Sequence, residues 1–248
     1  MAQSDGPKMT SCAILIPARY NSSRYIGKPL VELDGVPMIR RVYDACKATG
    51  LDTYVLTDDM RIFNLFGRRN CWIDTAKSYR NGTERCAAAA NDPNFRERLG
   101  DYDYYINVQG DMPDVTVGMI NLIRQVHDIT SNGPVTLFTD MASELQDDPN
   151  TVKLVGDNGG RALWFGRGMM GYGLHHLGIY GYTKKELEEY LDLEYTTEEE
   201  VEQLEQLRWL RNGFTLNLGK VEFNGVEINT PEDVERWHNA TRRRQRWN

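Results

Sequence analysis

The first half of the chain carries four short apolar runs, each too short for a helix and each separated from the next by a stretch of helical period. Cys12-Ala13-Ile14-Leu15-Ile16 is apolar at every position, the pattern of a strand buried on both faces. Residues 53–57, Cys71-Trp72-Ile73 and Tyr104-Tyr105-Ile106-Asn107-Val108 supply three more strands. Between them a helix opens at Pro37 and runs to about Lys47, with Met38, Val42 and Ala45 inward and Gly50 as its stop. Further helices are read from about Met60 to Gly67 and over 85–90, and Val115, Met119, Leu122, Ile123 and Val126 form a helical stripe. Strand and helix alternating in this way specify an α/β fold, a mostly parallel doubly wound sheet covered on both faces.

The second half changes character. Residues 135–138, 152–155, 162–165 and 178–182 read as strands with little helix between them, a smaller antiparallel extension of the sheet or a smaller lobe. The stretch 166–173 is too glycine-rich for a regular element and reads as a mobile loop. Thr197 and Glu200 suggest a capping box opening one helix, with Val201, Leu204, Leu207 and Leu210 on a single face and Gly213 as the stop. Strands are expected at 215–218 and 226–229, followed by Thr230 as N-cap, Pro231 and a terminal helix. Leu30 to Pro37 reads as a hairpin turning at Asp34-Gly35.

In parallel sheets, ligands bind beyond the carboxyl ends of the strands. The segment that leaves the first strand, Pro17-Ala18-Arg19-Tyr20-Asn21-Ser22-Ser23-Arg24-Tyr25-Ile26-Gly27-Lys28-Pro29, gathers two arginines, a lysine and several backbone N–H groups. Forked and point-like cations together suit a polyphosphate. It is not a Walker A loop: Pro29 disfavours helical backbone at Lys28, no Ser or Thr follows the lysine, and no glycine stands earlier. Asp58-Asp59, Asn81-Gly82-Thr83 and Gln109-Gly110-Asp111 follow strands on the same edge. Asp111, after a tight Gly110 at a strand tip, is placed to hold Mg²⁺ against phosphates.

Composition excludes other classes. A net charge of −7 lacks the positive field of a nucleic-acid binder, and 40% hydrophobic with 26% charged residues is ordinary for a globular chain of 248 residues. The basic run Arg242-Arg243-Arg244-Gln245-Arg246 reads as a solvated tail. No stretch approaches a membrane span, and no signal-peptide core is found. Residues 1–10 read as a disordered leader before one domain over 11–248. Cys12, Cys46, Cys71 and Cys86 form no CxxC pair and read as reduced thiols of a cytoplasmic protein.

Seven segments occur in an order that resembles the 3-deoxy-manno-octulosonate (KDO) cytidylyltransferases, also called CMP-KDO synthetases. They are Ile16 to Leu30, Gly35 to Ile39, Gly82-Thr83-Glu84-Arg85, Asn107 to Asp111, His176 to Tyr182, Leu204-Glu205-Gln206-Leu207-Arg208 and Thr230-Pro231-Glu232-Asp233. The resemblance implies a nucleotide-diphospho-sugar transferase type of fold and an Mg²⁺-dependent homodimer. In the implied reaction the anomeric hydroxyl of an eight-carbon ulosonic acid attacks the α-phosphate of CTP. Arg19, Lys28 and Asp111 would carry the chemistry. Ala18, Arg19, Ser22, Arg24, Lys28, Asn81 and Gly82 would bind the nucleotide, with backbone groups of the Asn81-Gly82 turn on the cytosine. Gln109, Arg167, His176, Tyr180, Glu205 and Gln206 would meet the sugar, and 134–215 would be the sugar-site and dimer region. On residue pattern alone His176 and Tyr180 are ordinary sheet residues, while Glu205 and Gln206 lie off the leucine stripe, towards solvent.

This chain departs from that family at three places. A usual aspartate before the last helix, a second magnesium ligand, is Asn229 here. Glu227, or else Glu232 or Asp233, is expected to restore the missing charge, so the metal set reads Asp111, Asn229 and Glu227. The segment between Arg167 and His176 is short, which opens the acceptor to another ulosonic acid, an amino-KDO or a sialic-acid relative. Met112 replaces a usual acid and Ile26 a usual proline. A non-catalytic nucleotide-binding protein on the same fold is the rival of a different class.

Overall fold

The structure is a computed structural model and describes residues 11–246 apart from 23 and 131; the expected leader at 1–10 lies outside the described residues. Strand β1 (Cys12–Ala18) is buried along its whole length at the centre of the molecule. Its alternate side chains feed two cores. Ile14 and Ile16 pack on one face with Ile39, Val42, Ile120 and Ile123, while Ala13 and Leu15 pack on the other with Cys86, Ala90 and Leu187. A strand between two helical layers has no polar face, which accounts for its uninterrupted apolar run.

The first-half elements follow as β2 (Glu32–Leu33), β3 (Val36–Pro37), α1 (Met38–Lys47), β4 (Asp52–Thr57), α2 (Met60–Phe66) and β5 (Cys71–Ile73). Next come α3 (Gly82–Asn91), α4 (Pro93–Leu99), β6 (Tyr104–Val108) and α5 (Val117–Thr130). The second half holds β7 (Val135–Thr139), β8 (Lys153–Gly156), β9 (Ala162–Gly166), β10 (Leu174–Thr183), α6 (Lys184–Tyr190), α7 (Thr197–Glu202), α8 (Gln206–Arg211), β11 (Asn217–Lys220) and α9 (Pro231–Arg246). The main sheet runs β11-β7-β10-β6-β1-β4-β5. The pairs β6-β1, β1-β4, β4-β5 and β7-β11 are parallel, and β10 runs antiparallel to β6, β7 and β8. The second-half strands therefore extend one mixed sheet rather than forming a lobe, and β9 hangs at its edge through β8. The small hairpin β2-β3 turns at Asp34 and Gly35, with φ of 49° and 75°; two successive positive φ values are what a two-residue turn matching strand twist requires.

Several expectations are corrected. The helix expected over 85–90 begins at Gly82, because the Asn81 side chain accepts from the Glu84 N–H and caps it one turn earlier. The single helix expected to open at Thr197 is two: Thr196 caps α7, and Gln203, at φ 55°, breaks the run before α8. Val201 is consequently 74% exposed rather than on the apolar face. Residues 226–229 form no strand, although the Ile228 N–H donates to the Asp111 carbonyl, and the strand expected at 215–218 lies at Asn217–Lys220. Helices α4 and α6 were not read from the sequence; Asp92 and Thr183 cap them.

Candidate active site

The parallel strands β1, β4 and β6 end on one edge of the sheet, and a cleft of about 520 Å³ opens there, within the size range of small-molecule sites. Gly27, in the left-handed region at φ 76°, turns the loop after β1 into a 3₁₀ turn at Lys28–Leu30. That turn buries Pro29 and directs the Lys28 ammonium across the cleft to Asp111, with Nζ 2.7 Å from Oδ2. Ala18, Arg19, Ser22 and Arg24 line the same side. Arg24 is held at both ends of its fork, donating to Asn150 Oδ1 at 3.2 Å and to Asn229 Oδ1 at 3.0 Å.

Opposite the cationic loop stands the start of α3. The Asn81 side chain is fully used within the protein: Oδ1 accepts from Glu84 N, and Nδ2 donates to Glu199 Oε1 and the Tyr190 hydroxyl, each at 3.0 Å. What this turn can offer a ligand is backbone. At Gly82 a Cβ would stand 2.8 Å from Gln109 Nε2 and 3.0 Å from Pro17 Cγ, so a side chain there would have to displace the Gln109 amide.

The third wall comes from β10 and the α7–α8 break. Glu205 Oε2 accepts from Thr83 N–H at 2.7 Å and Oε1 from Gln109 Nε2 at 2.9 Å, tying this wall to both others. Burial pushes the Glu205 carboxyl up to about 7 against the Thr83 bond. The Tyr180 hydroxyl donates to Gln206 Oε1 at 3.0 Å. Gln206 is buried, and among the described residues its Nε2 has no partner, leaving a donor for a ligand. His176 is buried and bonds Thr136 Oγ1 through Nε2 at 2.9 Å; burial, helped by the neighbouring His175 and Arg167, pushes it down to about 3, so its ring is neutral. Arg167 is fixed by Glu202, whose Oε2 accepts from its N–H and whose carbonyl accepts from its Nε, and by the Asn150 carbonyl on Nη1.

Glu227 lies in the cleft with Asp111 and Asn229. Burial first, and then the charge of Asp111, pushes its carboxyl up to about 7. Asp233 is spent on the backbone N–H groups of Asn229 and Thr230, and neither it nor Glu232 lines the cleft. Of the three candidates for the missing charge, the fold brings Glu227 alone to Asp111.

The expected phosphate-loop, Asn81-Gly82, Asp111 and sugar-side residues thus line one cleft together with Glu227 and Asn229, whereas Asp58, Asp59, Glu232 and Asp233 do not. Glu205 and Gln206 lie inward, contrary to the leucine-stripe reading, because the break at Gln203 rotates them. Sequence reasoning missed Arg208, which is buried between Glu199, at 2.7 Å, and Glu84, at 2.7 Å. It also missed Arg85, paired with Asp58 at 2.9 Å. Glu199 and Arg208 sit on different helices, and nothing in their spacing announces a buried pair.

A mixed, mostly parallel sheet with a polar cleft beyond its strand ends defines an α/β fold of the nucleotidyltransferase type. A 4-diphosphocytidyl-2C-methyl-D-erythritol synthase from Anaerococcus prevotii shares that fold at 15% identity, with a TM-score of 0.60 over 94% of this chain and 99% of that one. The family model for cytidylyltransferases matches residues 13–223, and the chain belongs to the cytidylyltransferase family. A mitochondrial 3-deoxy-manno-octulosonate cytidylyltransferase of Arabidopsis thaliana is 39% identical, covering 93% of this chain and 83% of its own. An 8-amino-3,8-dideoxy-manno-octulosonate cytidylyltransferase of Shewanella pealeana is 38% identical over 89% of this chain and 94% of its own. A solved CMP:2-keto-3-deoxy-manno-octonic acid synthetase complexed with CTP superposes with a TM-score of 0.80 at 30% identity, over 95% of this chain and all of that one.

Proposed function

We propose that this cytidylyltransferase joins CMP from CTP to the anomeric hydroxyl of KDO and releases pyrophosphate. The observation that carries the reading is the meeting of the Lys28 loop and Asp111 in one cleft, with Gln109, Glu205 and Gln206 lining the same cleft. The sugar oxygen attacks the α-phosphorus while the bond to the β-phosphate oxygen breaks, so charge accumulates on the leaving pyrophosphate. Arg19, Lys28 and Arg24 neutralise that charge, and positioning supplies most of the remainder. Ala18 and Ser22 line the phosphate side, and Asn81-Gly82 gives backbone contacts to the base.

On the acceptor side, the unpartnered Gln206 Nε2 and the Gln109 and Glu205 amide and carboxyl groups suit sugar hydroxyls. Tyr180 and neutral His176 shape the wall, and Arg167 suits the acceptor carboxylate.

The donor set fits magnesium. Mg²⁺ is held by one or two carboxylates together with substrate phosphates, and Glu227 and Asp111 are two carboxyl groups whose mutual repulsion a cation relieves. Asp111, Glu227 and the Asn229 amide oxygen, which here also accepts from Arg24, would hold it. When bound, the ion neutralises phosphate charge and fixes the triphosphate.

Leu163 on the edge strand β9, with Met170 and Tyr172 just beyond it, is exposed and apolar, which supports a homodimer through this face. The four cysteines are free and buried, in keeping with a cytoplasmic, reducing setting; no helix among the described residues is long and apolar enough to cross a membrane.

A second reading keeps the chemistry and changes the acceptor to 8-amino-KDO, favoured by relatives of that name at 37–39% identity. Pyrophosphate release from CTP and Mg²⁺ with a panel of ulosonic acids tests both. Turnover with KDO supports the first, and turnover confined to another ulosonic acid replaces it with the second. CTP binding without turnover on any acceptor contradicts both and leaves a nucleotide-binding protein.

A further inference from the structure

Lys153 is a fully buried cation that does not line the cleft. It opens β8, paired with Gly166 of β9 on one side and His175 of β10 on the other. Both partners of its ammonium are backbone carbonyls rather than carboxylates: Nζ donates to the Asp148 carbonyl and, at 3.0 Å, to the Arg167 carbonyl. Burying a lysine is costly unless its charge is hydrogen-bonded, and strand pairing alone has no need of a cation.

The two carbonyls belong to two irregular segments that meet on the acceptor side. Residues 167–173 leave β9 and begin with Arg167, and residues 146–152 lead into β8 and carry Asn150. The Asn150 carbonyl accepts from Arg167 Nη1 at 2.9 Å, and the Thr151 N–H donates back to the Asp148 carbonyl at 3.1 Å, closing 148–151 into a turn. Lys153 therefore holds Arg167 twice, at its backbone and, through this turn, at one tip of its fork. Gly173, at φ 106°, lets the first segment return over the lysine stem, since a Cβ there would stand 3.0 Å from Lys153 Cβ. A further tie joins the two segments, from the Gly171 N–H to Asp147 Oδ1 at 3.2 Å. A guanidinium held in place beforehand gives up less freedom when a carboxylate docks on it.

We propose that Lys153 is a positioning residue for acceptor recognition, setting Arg167 in place for the carboxylate of the incoming sugar acid. The inference rests on the reading that Arg167 meets that carboxylate. The test is kcat and the KM for CTP and for the ulosonic acid, measured with Mg²⁺ in wild type, Lys153→Met, Arg167→Ala and the double variant. Lys153→Met is expected to raise the acceptor KM by roughly ten- to hundredfold, with kcat and the CTP KM within about threefold of wild type. In the Arg167→Ala background the same change is expected to alter the acceptor KM by less than about twofold, because the two residues act through one contact.

Parallel rises in both KM values, or a full-sized effect of Lys153→Met when Arg167 is already absent, overturn the proposal and leave Lys153 as a brace of the sheet. Should Lys153→Met not fold, Asp147→Ala cuts the exposed tie between the same two segments; it must raise the acceptor KM in wild type and not in Arg167→Ala, and an unchanged KM overturns the proposal. If Arg167→Ala raises the acceptor KM while Lys153→Met and Asp147→Ala do not, this inference alone falls. If Arg167→Ala leaves that KM unchanged, or wild type turns over no ulosonic acid, the reading beneath it falls and takes the inference with it.

Discussion

Replacing Lys28 by methionine removes one cation and leaves Asp111 facing Glu227 without it. The Nζ–Oδ2 distance is 2.7 Å, and the two side chains are 11% and 26% exposed. Breaking a fully buried pair costs about 3–5 kcal/mol. Asp111 is open enough to recover water, so we expect about 1–2 kcal/mol here. For a chain of this size that is a fall of about 2–8 °C in Tm. The effect on turnover is larger, because a charge-stabilising donor at developing negative charge is worth about 10²–10³ in kcat. Pyrophosphate release at saturating Mg²⁺, run beside thermal melts, reads both. A fall in kcat below about fivefold alongside the expected loss of Tm would refute the reasoning, since Lys28 would then only hold Asp111 in place.

Two further perturbations follow from the same cleft. Glu227→Gln is expected to raise the Mg²⁺ concentration for half-maximal activity by about tenfold, and Asn229→Asp to lower it; an unchanged requirement in Glu227→Gln excludes Glu227 from the metal set. Burial raises both Glu205 and Glu227 from 4.5 to about 7, so between these values the folded chain keeps protons that the unfolded chain has lost. The contribution of these two groups to stability is accordingly greatest below that window, falls as pH rises through it and levels above about 7. Thermal melts across the window should show a shallower slope in Glu205→Gln, and an identical slope would contradict the assignment.

Much of the sheet was legible because burial writes itself into local sequence. β1 sits between two helical layers and has no polar position to spend, and β6 is likewise buried along its length, with Asn107 as its one polar position. The cleft was legible for a related reason: residues that follow parallel strands must gather at one edge, so Lys28, Asn81 and Asp111 meet although distant in sequence. What could not be read depends on tertiary partners. A leucine stripe over 201–210 predicts one helix, and only the left-handed Gln203 reveals the break that turns Glu205 and Gln206 inward. Buried charges were also hidden: Arg208 reads as a surface residue until Glu84 and Glu199 are seen to close on it from separate helices. Glu227 and Asn229 share the cleft without a strand to place them, held instead by the bond from Ile228 to Asp111.

The most direct test is a crystal structure with CTP and Mn²⁺ in place of Mg²⁺, with the metal located by anomalous scattering. The manganese peak is expected in ligand contact with Asp111 and with a triphosphate lying along Arg19 and Lys28. A nucleotide bound elsewhere, or a metal peak remote from Asp111, would contradict it.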